Sequence, residues 1–400
     1  MLLCLFGDAH SRFTVSVGAV LPKGYAPFRT ASYDGRVVAF TPDRKAFVDP
    51  EHPFLRKIDG VAVERWLEAA GRIVPQASAQ LMLRGRMERL VFLGYLRQEL
   101  ELPQKEKVQL ELESLDKKSA KKVALLLEGK PGDRSDRAWK QTGHLGEYGY
   151  LRISQMATDP KFLEGLDASM AELKDTKGLV IDVRDNPGGT QDALKTLLPY
   201  FLRLEEPLQI VNVAAYRLPL QLPKPNPSGF LGLHGRSLHP VTSKVWKPEE
   251  ADLIRKFLET FKPSWLLPAG KFSDWHVMAI DPRSNPKAYR YDRHVCVLSN
   301  AGSFSASDNF LGAFKGRPNV TIVGTPSGGG SGRMQDYKLP NSALRFTLCQ
   351  MASYSRTGQL YDGNGVQPDI FVEERPEDHI GKGDAVLDAA LKVLEEKKKG

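Results

Sequence analysis

The chain has 400 residues, 41% of them hydrophobic and 26% charged, which is enough to bury two or three cores in a soluble, multi-domain globular protein. Its formal net charge is +8, yet Lys and Arg are spread along the chain and not gathered into one block, which argues against a nucleic-acid partner. Cys4, Cys296 and Cys349 form no C-x-x-C pair and no metal spacing, so neither a disulfide framework nor a zinc site is implied.

Cys296 and Cys349 sit in apolar runs and read as core filler. No stretch approaches the roughly 20 apolar residues of a membrane span, and the apolar start of the chain, residues 1–6, is too short for a signal-peptide core. The chain therefore carries no export address as written, and its abrupt start suggests that natural sequence upstream of Met1 is missing. The compartment and the oligomeric state stay open.

In chain order, residues 1–30 read as an N-terminal strand segment, with patchy alternation over 13–27. A small mixed unit follows over 31–103, with a strand at 36–40, a strand and turn at 54–60 and a helix at 63–70. Residues 104–142 combine a hairpin, from the alternating Val108, Leu110, Leu112 and Val123, Leu125, Leu127, with a polar linker over 131–140.

A second domain is expected over 143–392. It opens with a strand at 149–153 and a helix at 161–173, followed by a fully apolar strand at 178–183 of the kind found in buried sheets. A helix at 191–202 comes next, then strands at 295–298 and 320–323 flanking a helix that starts near Ser305. This alternation argues for an α/β layer on a largely parallel sheet. Residues 205–292 form a proline-rich insertion with one amphipathic helix at 249–261, on which Leu253, Phe257 and Leu258 share a face; residues 393–400 are a charged C-terminal tail, of which 395–399 read as a solvated helix end.

Two turns carry the chemistry. In Asn300-Ala301-Gly302-Ser303-Phe304-Ser305 an apolar strand runs through small residues to the mouth of a helix, a geometry that exposes a hydroxyl and aims helix amides at it. Ser305 fits a nucleophile, although Ser303, Ser305 and Ser307 also fit competing N-caps. In Asn186-Pro187-Gly188-Gly189 two glycines stand where backbone amides could approach an oxyanion, or simply turn the chain. A serine nucleophile needs a base, either a lysine kept neutral by burial or a histidine oriented by a carboxylate.

Four ordered motifs then carry a resemblance: Asp182-Val183-Arg184-Asp185-Asn186-Pro187-Gly188-Gly189, Ser303-Phe304-Ser305-Ala306-Ser307-Asp308, Gly324-Thr325-Pro326 and Gly365-Val366-Gln367-Pro368-Asp369-Ile370. Over residues 143–392 they resemble the carboxyl-terminal processing (tail-specific) peptidases and the related tricorn core. The processing branch places a lysine 25 positions after the nucleophile, and here that position is Gly330. The tricorn-like branch uses a histidine, and Gly7-Asp8-Ala9-His10-Ser11 resembles the element that supplies it, with Ala9 in place of the tricorn serine.

The resemblance implies an α/β fold with a crotonase/ClpP-like protease core of stacked ββα units and a small PDZ-like β-rich domain, 31–103, inserted near the N-terminus. It implies a serine-type endopeptidase with Ser305 as nucleophile, His10 as base, and Asp362 standing where the family carries a glutamate. Backbone amides of Gly188, Gly189 and Ala306 would hold the oxyanion. The substrate would be peptide or unfolded protein, with no metal or organic cofactor. A catalytically silent ligand- or peptide-binding protein on the same fold is the alternative, and an esterase or amidase a weaker one. Among the remaining histidines, His144, His234, His239, His276 and His294 read as surface or structural, and His52 and His379 as exposed.

Overall fold

The structure is a computed structural model and describes residues 12–15, 22–131, 137–218, 236–338, 340–341 and 344–398. The chain divides into two compact units: Met1–Lys140 with Asp336–Thr347 and Val372–Asp388, and Gln141–Gln335 with Leu348–Phe371 and Ala389–Gly400.

In the first unit an antiparallel sheet runs in the order β2 (Arg29–Tyr33), β3 (Arg36–Phe40), β4 (Phe54–Ile58), β6 (Lys107–Glu113) and β7 (Ala120–Leu126), with the short β5 (Val61–Ala62) paired to β4. Along β6 the side chains of Val108, Leu110 and Leu112 are buried while Lys107 and Gln109 are exposed, the period-2 pattern of a strand with one wet face. The buried face packs on α1 (Val63–Gly71), α2 (Ala79–Arg89) and α3 (Leu93–Glu99) through Trp66, Ala70, Met87, Leu93 and Leu96. Helix α2 starts at Ser78, whose hydroxyl accepts from the Leu81 N–H at 3.3 Å. Elsewhere β1 (Arg12–Val15) pairs antiparallel with β17 (Leu344–Cys349), which is flanked by β16 (Met334–Lys338).

Strand β3 departs from simple alternation because both its faces are covered. Val37 and Ala39 join the helical core, whereas Val38 and Phe40 pack with Ile380. On that second face His379 stacks on Phe40, with ring centroids 5.7 Å apart and planes 6° apart. The surface placement read for His52 and His379 is therefore corrected: they are 8% and 7% exposed. Proline and acidic neighbours suggested solvent, but the partners that bury each ring are distant in sequence: Ser119 for His52, Phe40 for His379.

The second unit is built on a sheet ordered β19 (Ile370–Phe371), β15 (Val320–Gly324), β14 (Val295–Ser299), β10 (Leu179–Asp182), β9 (Tyr148–Arg152) and β8 (Gly143–Leu145). It is parallel from β19 to β9, and β8 closes it antiparallel. Strand β10 is buried at every position, as its unbroken apolar run requires. Helices α4 (Pro160–Glu172), α5 (Asp192–Leu197) and α7 (Ala306–Phe314) contribute Leu166, Met170, Leu194, Phe310 and Phe314 to its core. Helix α5 is shorter than the expected 191–202 because the chain tightens into a 3-10 turn at Leu198–Phe201, where Pro199 has no N–H to donate.

Within 205–292 the chain builds more than the one expected helix. Strands β11 (Gln209–Tyr216), β12 (His239–Pro240) and β13 (His276–Ile280) join β18 (Met351–Tyr354) in an antiparallel sheet ordered β12-β13-β11-β18. Helix α6 (Pro248–Thr260) sets Leu253, Ile254, Phe257 and Leu258 against Ile210, Val213 and Val277. Strand β11 is buried almost throughout, so it shows no alternation, and its Asn212 Nδ2 donates to the Ser353 hydroxyl at 2.8 Å and the Tyr354 carbonyl at 2.9 Å. Helix α8 (Ala385–Lys398) ends the described chain, with Ala390 accepting a hydrogen bond from the Cys296 thiol. Burial pushes that thiol up to about 12, whereas Cys349, also read as core filler, is only partly buried.

Burial holds the His379 ring below the usual histidine range, with Arg137 and Arg44 opposing its charge and Glu374 and Asp378 favouring it. A depressed folded-state value means that stability is lost as pH falls through the unfolded value of about 6.5. Chemical denaturation should therefore show the unfolding free energy falling between pH 7 and pH 5, and His379→Phe, which keeps the stack on Phe40 and removes the titration, should flatten that dependence. An unchanged slope in His379→Phe would remove His379 from the acid response.

Candidate active site

Strand β14 delivers the chain to Asn300, a tight turn follows, and α7 begins at Ala306. Ser305 sits at the junction with φ 62° and ψ −114°. For a residue with a side chain this is a strained conformation, costing on the order of 1–3 kcal/mol, and it persists only where the surroundings over-determine it. The Asp308 N–H donates to the Ser305 carbonyl at 3.0 Å, and the Ser305 N–H donates back to the Asp308 carboxylate at 2.8 Å. The Ala306 N–H has no acceptor among the described residues.

The turn that follows β10 is locked to this one. Asn300 Oδ1 accepts from the Asp185 N–H at 2.9 Å, and Asn300 Nδ2 donates to Asp185 Oδ1 at 3.0 Å. The Phe304 N–H and the Ser307 hydroxyl both reach the Asn186 carbonyl, at 2.9 and 3.1 Å, and the Ser303 hydroxyl reaches the Val183 carbonyl at 2.8 Å. Beneath them lies a buried ion pair in which Arg184 donates to both oxygens of Asp182, with the Tyr150 hydroxyl on Asp182 Oδ2 at 2.7 Å. Replacing a backbone-supporting pair of this kind by one lone charge costs several kcal/mol, so the pair constrains the turn even if its net worth is small.

Gly188 and Gly189 have φ of 94° and 141°. A Cβ on Gly188 would lie 2.5 Å from the Phe304 carbonyl oxygen, 2.7 Å from Ser305 Cβ and 2.8 Å from the Ala306 nitrogen. Only glycine lets the two turns approach this closely. The Gly188 N–H donates to Asn186 Oδ1 at 2.9 Å; the Gly189 N–H has no acceptor among the described residues.

Asp308 ties the serine to a third segment. Its fully buried carboxylate accepts from the Ser305 N–H at 2.8 Å, the Ser327 hydroxyl at 2.5 Å, the Gly329 N–H at 3.0 Å and the Gly330 N–H at 3.1 Å. Burial pushes the carboxyl up to about 6 against the pull of these donors. Ser327 passes the link on, accepting from the Val366 N–H at 2.7 Å. Gly330, the position without the lysine, is therefore a backbone donor to Asp308. Asp362 occupies the turn before Gly365, where its Oδ1 accepts from the Gly332 N–H at 3.3 Å. His10 lies outside the described residues.

The structure thus brings Gly188 against Ser305 and Ala306, sets Gly189 against Met156, and places Asp362 on the segment bonded to the loop 327–332. Asp308 and Asn300 are the residues that sequence reasoning passed over. Asp308 had a signal, since an acidic residue three positions after a helix-opening serine is the pattern of a reciprocal cap; Asn300 had none. No group of three metal-ligating side chains occurs among the described residues.

Residues 147–372 match the family model described as Peptidase family S41. A carboxy-terminal-processing protease of Bartonella bacilliformis is 26% identical over 269 residues, covering 64% of this chain and 46% of that protein, so the chain spans less than half the length of that relative. Among solved structures, mature CPAF complexed with lactacystin aligns over 99% of this chain and 86% of its own, with a TM-score of 0.63 at 16% identity. The photosystem II D1 C-terminal processing protease aligns over 98% and 84%, with a TM-score of 0.43 at 15% identity. The likeness to CPAF is one of fold.

Two substitutions probe this geometry. Gly188→Ala should lower the unfolding free energy by about 1–3 kcal/mol in chemical denaturation, because its Cβ would lie 2.5 Å from the Phe304 carbonyl oxygen and force the two turns apart; an unchanged midpoint would mean that the close approach is not needed. Asp308→Asn, which offers one acceptor oxygen where the carboxylate offers two, should lower the unfolding free energy by about 1–3 kcal/mol, and unchanged stability would mean that the converging donors do not need the carboxylate.

Proposed function

The chain belongs to peptidase family S41, and we propose that it is a serine-type endopeptidase acting through an acyl-enzyme on Ser305. The observation that carries this reading is the strained Ser305 turn pressed against Gly188. Strain held at a helix mouth by a buried carboxylate is expected of a nucleophile and is wasteful in a mere cap.

In the proposed reaction His10 takes the Ser305 proton as Oγ attacks the scissile carbonyl, and Asp362 orients His10. The amides of Ala306 and of the Gly188–Gly189 turn hold the oxyanion, where preorganised donors are worth about 3–4 kcal/mol each. His10 returns the proton to the leaving amine, and water then hydrolyses the acyl-enzyme by the same route. No cofactor takes part. Absence of a lysine at Gly330 favours the histidine route over the lysine route.

The finer architecture belongs to the same proposal. A crotonase/ClpP-like core is supported by the parallel β9-β10-β14-β15 layer with α4, α5 and α7 in its core. A PDZ-like unit over 31–103 is supported by β2, an edge strand lying beside α2, whose Met87 carbonyl accepts from the Thr30 hydroxyl at 2.9 Å. An extended segment of a peptide or unfolded-protein substrate would add to that edge.

Treatment with a fluorophosphonate followed by peptide mapping should place an adduct on Ser305, and Ser305→Ala should lose about 10⁴-fold or more in peptide hydrolysis. Hydrolysis that survives Ser305→Ala would move the nucleophile elsewhere. His10→Ala should be nearly as damaging, and full turnover in that variant would show that another group is the base.

A further inference from the structure

We propose that the first unit carries a second activated serine, Ser119, which accepts acyl or phosphonyl groups from small activated esters with His52 as its base and Asp49 as the group that orients the base. His52 Nδ1 lies 2.8 Å from Asp49 Oδ1, and His52 Nε2 lies 3.0 Å from Ser119 Oγ. Asp49 and His52 are buried, at 6% and 8% exposure, whereas Ser119 is exposed at the end of the β6–β7 turn. The order of contacts, hydroxyl to one ring nitrogen and carboxylate to the other, is that of a serine-hydrolase relay.

The network fixes the direction of the hydrogen bond between Asp49 and His52. Lys121 Nζ pairs with Asp49 Oδ2 at 2.5 Å, and the Glu51 and His52 N–H groups donate to Asp49 Oδ1 at 3.2 and 3.1 Å. These donors hold the Asp49 carboxyl down at about 2, with the Lys121 hydrogen bond the largest cause, so it is an acceptor only. Nδ1 must then carry a hydrogen, and in the uncharged form of the ring Nε2 is left to accept from Ser119. That is the tautomer a general base requires. The backbone keeps Ser119 in place: its N–H donates to Ser114 Oγ at 3.1 Å and its carbonyl accepts from the Ser114 N–H at 3.0 Å.

In the step itself Ser119 Oγ bonds to the ester carbonyl carbon while its proton moves to His52 Nε2. The bond from that carbon to the alcohol oxygen breaks, and the alcohol leaves with the proton from His52. Water attacks acyl-Ser119 in the same way and releases the acid. Exposure on a turn suits small, activated donors and not a bound polypeptide.

The proposal is independent of the reading of Ser305, because all its members lie in the first unit and adducts at the two serines map to different peptides. The test uses the full chain with Ser305→Ala, treated with a fluorophosphonate or p-nitrophenyl acetate and mapped by mass spectrometry. Ser119 should react at least about 100-fold faster than the exposed Ser284, the range a positioned base supplies. His52→Gln and Asp49→Asn, checked for folding by circular dichroism, should each bring Ser119 down toward the Ser284 rate. Reaction at Ser119 no faster than at Ser284 in the chain with His52 intact overturns the proposal, and so does an unchanged rate in a folded His52→Gln; the Ser119-His52-Asp49 chain would then be a clasp between loop and hairpin.

Discussion

A single buried carboxylate organises the candidate active site. Asp308 has left water entirely, which is costly for a charge, and it does so because four donors converge on it. Two of those donors are glycine amides of the loop 327–330, one is the Ser327 hydroxyl and one is the amide of Ser305 itself. The strained backbone of Ser305 and the path of the loop are therefore two consequences of one electrostatic requirement. Were the carboxylate to move, the serine and the loop that leads toward Asp362 would both lose their anchor.

The second constraint is topological. Strands β10 and β14 are parallel neighbours, so the turns that follow them emerge at the same end of the sheet. That is why Val183 and Ser303, 120 residues apart, can share a hydrogen bond. Asn300 and Asp185 then fasten one turn to the other, and glycine at 188 removes the last obstacle to contact. The long segment between the strands contributes a sheet of its own, β11 to β13 with β18, instead of merely decorating the core.

The first unit uses buried polar groups differently. His379 is accommodated by stacking on Phe40 on the second face of β3, and His52 by hydrogen bonds at both ring nitrogens. One ring is held below the usual histidine range by burial; the other is wired to a carboxylate and a hydroxyl. The buried, stacked ring is the liability in acid, and the wired ring is the base of the proposed Ser119 relay.

By itself the sequence determined the elements whose signal is local. Apolar runs marked β10 and β14, alternation marked β6, and Arg36–Phe40 and Phe54–Ile58 read directly as strands. The two chemistry-bearing turns were legible because strand, small residues and helix follow one another within a few positions. Strands β11 and β13 and the helices α2 and α3 were not, because strands buried along most of their length lose the period of two and α2 has many charges and few buried side chains. Only the tertiary structure decided the rest: that Asp308 is buried, that Asn300 clasps Asp185, that Gly188 touches Ser305, and that His52 and His379 are inside. Each of these depends on which residues meet across tens to hundreds of positions, and no local period or spacing encodes the partner that turns an ordinary polar side chain into a buried, oriented one.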